Sequence, residues 1–272
     1  MPCQVIGHSS LVIRDIQMIH PSAVIHPNAQ IGKDCAIGPY CVIGEHVVLG
    51  ARSQLHSHVV IDGYTKIGEA NEIFPFVSIG LKTQDLKWKG GITRTEVGNE
   101  NTFREYVTIH SATGDGEATV VGSRNHILAY CHIAHNVLLG DSIIMSNVAT
   151  LAGHVTVEDR AVIGGLAAVH QFCRIGTMAL IGGCSKVVQD VAPYMIVDGN
   201  PAEARTVNKV GMERNGVSEE AQSALRQAYK ILFREGLIIS NALARIETEY
   251  GTFSEVQHLI KFVRASERGI SK

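Results

Sequence analysis

Residues 31–50 read IGKDCAIGPYCVIGEHVVLG. Aliphatic side chains stand at Ile31, Ile37, Ile43 and Leu49, each followed by glycine. The count of six continues back to Ile19 and on to Val187. Of the 29 positions in that series, 26 are large and apolar, and the exceptions, Asp85, Gly91 and Asp115, fall in two short polar stretches. A helix repeats every 3.6 residues and a strand every 2, so neither produces this pattern; a fixed short period marks a solenoid.

Small residues recur four places after the anchor, as at Ala29, Cys35, Cys41, Ser53, Cys131, Ala149, Ala161 and Cys173. A large inward side chain, a tight corner assigned to the glycine, and a small inward side chain describe one short flat strand with its turn. Three such units close a triangular coil of 18 residues. Coils stack as parallel strands roughly 4.8 Å apart, and about 10 of them make a rod on the order of 45 Å long. Residues 18 apart thereby become vertical neighbours.

The series stops near Pro193, which divides the chain into an N-terminal extension (1–18), a solenoid (19–192) and a C-terminal helical region (193–272). Met18 offers an alternative start. Ser218 precedes an apolar helical face through Ala221, Leu225, Ala228, Ile231 and Leu232, with Gly236 as its stop. Val256, Leu259, Ile260 and Val263 mark a second helix. Helices at the end of the rod would cover the open strand edges of its last coil.

A net charge of −2 over 272 residues, 45% of them hydrophobic, fits a protein with ample core. No polybasic run argues for nucleic acid, and no apolar stretch is long enough to span a bilayer. The N-terminus lacks the charged start and long apolar segment of a secretion signal. Cys35, Cys41, Cys131 and Cys173 occupy the small inward position and read as packing residues in a reducing, cytoplasmic setting, whereas Cys3 and Cys184 have no partner motif.

Four of the thirteen histidines, His132, His135, His154 and His170, lie within 39 residues. Steps of 18 place His135, Gly153 and Gln171 in one vertical column, with Asn136, His154 and Phe172 in the column beside it. An imidazole can take a proton from a hydroxyl near neutral pH. A glycine amide, unobstructed by a side chain, can donate to a developing oxyanion. Base and donor on adjacent coils suit acyl transfer. The alternative is that such histidines only decorate corners, as His46, His56 and His58 are expected to do. The first interruption, Leu81 to Thr95, contains Gln84-Asp85-Leu86-Lys87-Trp88 and can reach over a groove on its own or a neighbouring subunit. The second, Ser111 to Ala118, carries little chemical signal.

Longer strings make the chain similar to the UDP-N-acetylglucosamine O-acyltransferases, the hexapeptide-repeat enzymes that begin lipid A synthesis. They are Gln84-Asp85-Leu86-Lys87, Val107-Thr108-Ile109-His110, His132-Ile133-Ala134-His135, Leu151-Ala152-Gly153-His154-Val155, Ala168-Val169-His170-Gln171-Phe172-Cys173 and Gly182-Gly183-Cys184-Ser185. The resemblance runs from Ile19 to the C-terminal helices. It implies a left-handed parallel β-helix with a C-terminal α-helical domain, and transfer of an (R)-3-hydroxyacyl group from acyl carrier protein to the glucosamine 3-hydroxyl. It further implies a homotrimer with clefts between rods, no cofactor and no metal. His135 would be the general base and Gly153 the oxyanion donor. Gln84, Asp85, Lys87, His110, His132, His154, His170 and Gln171 would position the sugar, pantetheine or acyl chain. Leu180 and Gly183 would border the acyl groove, and the bare Gly183 implies a deep groove for a longer chain. Asn208 and Arg214 would meet the nucleotide.

Some positions depart from the family. Val210 and Asn215 stand where an acidic and a second basic residue are common, and Asn136 stands where Asp usually follows the histidine. An amide can orient an imidazole but does not stabilise its charged form as a carboxylate would. This leaves open a 3-amino sugar nucleotide as acceptor. Other readings are a zinc site built from His132, His135 and His154, a related N-acyltransferase that carries an extra N-terminal domain, and a non-catalytic solenoid scaffold.

Overall fold

In the computed structural model, residues 19–272 are described; the expected extension 1–18, with Cys3 and Met18, lies outside the described residues. Two-residue strands form three parallel sheets of nine, eight and ten strands, the last ending in an antiparallel pair. Each sheet is one face of a triangular prism. Pairing follows the expected step: Val24 and Ile25 lie against Val42 and Ile43, 18 residues on. The two interruptions lengthen the step locally, so that Ile79 pairs with Ile109 and Ile109 with Ile133.

The anchors fill the interior. Ile37, Ile61, Ile73, Ile109, Ile133, Met145 and Leu151 are each no more than 1% exposed. Burial of such a side chain is worth about 1.5–3 kcal/mol, and the stack repeats that gain at every turn. Cys35, Cys41, Cys131 and Cys173 are buried, while Cys184 is exposed. Burial pushes the Cys131 thiol up to about 11, which keeps it protonated and inert.

The glycines do a different job from the one expected. The left-handed corner residue is the third after the anchor, as at Asp34 (φ 58°), Tyr40 (φ 59°) and Arg52 (φ 59°), and it is not glycine. The glycine directly after the anchor gives clearance between coils: a β-carbon on Gly32 would stand 2.5 Å from the backbone nitrogen of Ala51. At corner positions such backbone costs roughly 1–2 kcal/mol per residue, and stacked rings offset part of it. One ladder runs Tyr40, His58, Phe76, Tyr106, Tyr130 with centroids 4.7–5.0 Å apart. His58 is therefore a rung rather than decoration. The same correction applies to His46, stacked 4.2 Å from Tyr64, and to His56, which meets Phe74 and Glu72.

Beyond the last coil, strand Met195–Gly199 pairs in parallel with Leu180–Ile181 and turns back through Ala202–Val207. Four helices follow: α1 (Lys209–Arg214), α2 (Glu219–Phe233), α3 (Ile239–Tyr250) and α4 (Ser254–Arg264). The Ser218 hydroxyl caps α2 by accepting from the Ala221 amide, as the sequence suggests. The six-residue α1 and the α3 helix were not legible from periodicity. Arg174 from the rod stacks on Phe262 of α4 at 4.2 Å, and Asp190 bridges to Ile270, so the helical region lies against the final coil. Among the described residues, no helix is long and apolar enough to cross a membrane.

Candidate active site

His135 and Asn136 turn the corner between strand His132–Ile133 and strand Leu138–Leu139. One coil on, the same corner is Gly153 and His154, and one further, Gln171 and Phe172. The amide of His154 donates to the carbonyl of His135, and that of Phe172 to the carbonyl of Gly153, each at 3.1 Å. The expected column is thus set by backbone pairing. The His135 ring lies over Gly153 so closely that a β-carbon there would be 2.4 Å from Cε1 and Nε2. Glycine at 153 is what leaves room for the ring.

The Gly153 amide makes no hydrogen bond among the described residues. At the neighbouring corner the equivalent amides do have partners: Ser123 N–H and Asp141 N–H each donate to the carboxylate of the residue 18 places on, at 2.8 Å. A turn amide in this position therefore binds a negatively charged oxygen well. At Gly153 no side chain among the described residues takes it, and the residue lines an open cavity.

A cavity of about 650 Å³ opens in front of these groups. Gln84, Asp85, Lys87, His110, His132, His135, Gly153 and Gln171 line it, together with Leu86, Ala134, Thr150 and Ala152. The 81–95 excursion makes one wall. Thr83 Oγ1 accepts from the Asp85 amide, and Asp85 Oδ1 accepts from the Lys87 amide, each at 3.0 Å. Asp85 Oδ2 then stands 3.8 Å from His135 Nε2. Both side chains are mostly covered, at 21% and 14% exposed.

The other rings stay neutral. Burial, reinforced by His110 and His135 nearby, pushes His132 down to about 4. Its Nδ1 lies 2.7 Å from the Thr108 hydroxyl. Burial likewise lowers His110, which meets His132 edge-on at 5.0 Å. His154 is lowered by burial and then by His135; it stacks on Phe172 at 4.7 Å and meets the His135 ring edge-on at 5.2 Å. It supports the base from behind and does not line the cavity. Neutral neighbours allow His135 to gain a proton without adding to an existing charge cluster.

Other expected residues are not gathered here within one chain. His170 is exposed beside Arg268, 3.4 Å away. Leu180 belongs to a strand of the ten-stranded sheet, a different face from that of His132 and Thr150, and Gly183 to the corner where the two sheets meet. Asn208, expected to meet the nucleotide, stands at the start of α1. It is 4% exposed; its Oδ1 accepts from Gly211 N–H and its Nδ2 donates to the Met178 carbonyl. Its oxygen caps α1 and its NH2 group ties that cap to the rod, while Arg214 at the end of the same helix is exposed. Among the described residues no three His, Cys, Asp or Glu side chains converge as metal ligands.

The sequence reading missed Thr113, Glu117 and Thr119, which surround Asn136 from the second interruption and the strand after it. No spacing rule marks them: the adjoining strands pair at a step of 18, but Thr119, Glu117 and Thr113 stand 17, 19 and 23 residues before Asn136, and the last two belong to the inserted loop.

Residues 190–271 match the family described as UDP-N-acetylglucosamine O-acyltransferase, domain 2, and residues 12–45 and 28–63 match bacterial transferase hexapeptide repeats. An acyl-[acyl-carrier-protein]–UDP-N-acetylglucosamine O-acyltransferase of Gloeothece citriformis is 42% identical over 208 residues, 76% of this chain and 75% of the relative. The solved structure of LpxA from Acinetobacter baumannii superposes with a TM-score of 0.90 at 43% identity, covering 94% of this chain and all of that one. A UDP-N-acetylglucosamine acyltransferase of Francisella novicida gives 0.90 at 36% identity, covering 93% and 94%. The fold is accordingly a left-handed parallel β-helix with C-terminal helices.

Proposed function

The chain belongs to the acyl-[acyl-carrier-protein]–UDP-N-acetylglucosamine O-acyltransferase family, and from that premise we propose that it moves an (R)-3-hydroxyacyl group from acyl carrier protein to the glucosamine 3-hydroxyl of UDP-N-acetylglucosamine, opening lipid A synthesis. The observation that carries this reading is the His135 ring lying over the unpartnered Gly153 amide at the mouth of the cavity.

His135 Nε2 removes the proton of the sugar 3-hydroxyl as the oxygen attacks the thioester carbonyl. The tetrahedral oxyanion accepts from Gly153 N–H, a fixed donor that needs no reorganisation. When the C–S bond breaks, the imidazolium returns its proton to the departing pantetheine thiolate, leaving an ester and free carrier protein. Asp85 and Lys87 hold the sugar from the loop, and neutral His110 and His132 supply hydrogen bonds without competing for the proton.

A homotrimer completes the site in this reading. Two observations support it: Leu86 in the excursion is fully exposed, and Leu180 and Gly183 are not among the residues that line the His135 cavity of the same chain. Packing of rods about a three-fold axis would bring one chain's Leu86 and His135 against another's acyl groove and Arg214.

The test is acyl transfer from (R)-3-hydroxyacyl carrier protein to UDP-N-acetylglucosamine, with the folded His135→Ala variant as control. Loss of transfer by at least a hundredfold in that variant is expected; unimpaired transfer would leave the solenoid a scaffold. Alkali-labile product identifies an ester, and alkali-stable product from the 3-amino sugar nucleotide would identify an amide.

A further inference from the structure

We propose that Glu117 is a positioning residue for His135, acting through Asn136, so that a carboxylate two hydrogen bonds away replaces the one missing beside the base. The inference rests on the reading of His135 as the base.

Asn136 sits at a left-handed corner (φ 59°) with its amide donating to Thr119 Oγ1 at 2.8 Å. Its side chain is oriented by two partners whose roles admit no exchange. The Thr113 backbone N–H donates to Oδ1 at 3.0 Å, and Nδ2 donates to Glu117 Oε2 at 2.6 Å. A backbone N–H only donates and a carboxylate only accepts, so the amide has one orientation. Its Oδ1 is 3.0 Å from His135 Nδ1. An oxygen there requires the proton on Nδ1, which leaves the Nε2 lone pair facing the cavity, Asp85 and Gly153.

Glu117 is itself placed: Oε2 also accepts from Gly114 N–H at 3.0 Å, within the loop of the second interruption. Without that acceptor Asn136 would be held by Thr113 alone and could turn its NH2 group toward Nδ1. That orientation calls for the opposite tautomer, in which Nε2 carries a proton and cannot act as base. The carboxylate also polarises the amide and favours the imidazolium formed during the reaction. The remaining charged or titratable groups around the ring are Asp85 at 3.8 Å from Nε2, the neutral rings of His110, His132 and His154, and Lys87 on the loop.

The experiment measures kcat, KM and the pH dependence of kcat/KM for Glu117→Ala, Glu117→Gln, Asn136→Asp and the double variant Glu117→Ala with Asn136→Asp. It is paired with 15N spectra of the His135 ring in the unliganded proteins. Glu117→Ala is expected to lower kcat about tenfold with KM changed less than twofold. It should move the acid limb of kcat/KM to lower pH and shift the ring nitrogens toward the Nε2-protonated form. Glu117→Gln should keep the tautomer, because its amide oxygen can accept, but still move the limb. In the Asn136→Asp background the aspartate accepts from Nδ1 directly, so removing Glu117 should cost nothing or relieve repulsion between adjacent carboxylates. Unchanged 15N shifts in Glu117→Ala would overturn the proposal, as would the same loss of kcat in both backgrounds, which would mean only a structural role for the loop. The tautomer readout does not depend on turnover, so failure of the base assignment, seen as transfer by His135→Ala, remains distinguishable.

Discussion

Replacing Gly153 by alanine isolates the geometry on which the mechanism turns. The backbone at 153 is not in the left-handed region, so a side chain is conformationally allowed there. Its β-carbon would arrive 2.4 Å from His135 Cε1 and Nε2 and 3.1 Å from Nδ1. Ordinary carbon contacts need about 3.5 Å, so the ring must retreat by about 1 Å. The group that yields is the end of a side chain rather than a strand, and the fold should absorb the change for about 1 kcal/mol or less. The retreat carries Nε2 away from the acceptor hydroxyl and from the oxyanion donor, and a misplacement of that size costs about a hundredfold in rate, or about 2.7 kcal/mol of barrier. Measured at saturating substrates, Gly153→Ala should therefore show kcat down about a hundredfold with thermal unfolding within about 3 °C of the parent. The double variant with His135→Ala should lose little beyond His135→Ala alone, because the clash has no ring to displace. A folded Gly153→Ala protein retaining kcat within threefold of the parent would refute the placement of base over donor.

The titration of His132 predicts how stability falls with pH. The unfolded chain binds that proton near pH 6.5, whereas the folded protein resists it until about 4. Stability is therefore full above 6.5 and lost progressively between those limits, by about 3 kcal/mol at most and about half that once water in the cleft is allowed for. Thermal unfolding at pH 7, 5.5 and 4 should show this slope flattened in His132→Gln; an equal slope in both proteins would count against it. At the corner between the ten- and nine-stranded sheets, Gly183→Met meets only the Gly165 carbonyl oxygen at 3.4 Å from its β-carbon, so the protein should fold normally. If the acyl groove passes there, donors of graded length should reveal a preference shifted toward shorter chains, and an unchanged preference would place the groove elsewhere. Inside the rod, Asn101 is 1% exposed and donates to Asn71 Oδ1 and the Gly122 carbonyl while accepting from Asn125 N–H. Asn101→Leu should cost about 3 kcal/mol or more by stranding those groups, readable by denaturant titration; a cost under 1 kcal/mol would mean that the ladder is dispensable.

How much of the site was legible can be judged from His135 and Glu117. The column His135, Gly153, Gln171 follows from counting because no insertion separates those three coils. Glu117 and Asn136 are 19 residues apart although the strands that follow them pair at a step of 18, and the contact depends on how the loop from Ser111 to Ala118 folds back. Asn208 shows the opposite case: a residue carried over from a family motif whose side chain the local helix cap has already used. The helical region was partly legible, since α2 and α4 expose a clear apolar stripe. The short α1 lacks the length for a period to register.

The sequence by itself determined the architecture, because a hexad sustained from Ile19 to Val187 leaves a stacked parallel coil as the arrangement that buries every anchor and pairs every short strand. It also determined which imidazole meets which glycine, since uninterrupted coils translate sequence distance directly into height. Only the tertiary structure decided what surrounds the base: which nitrogen is free, which carboxylate stands behind Asn136, and which amide has no partner. Those features depend on side-chain directions and loop paths set by contacts between coils, and contact of that kind has no period to read.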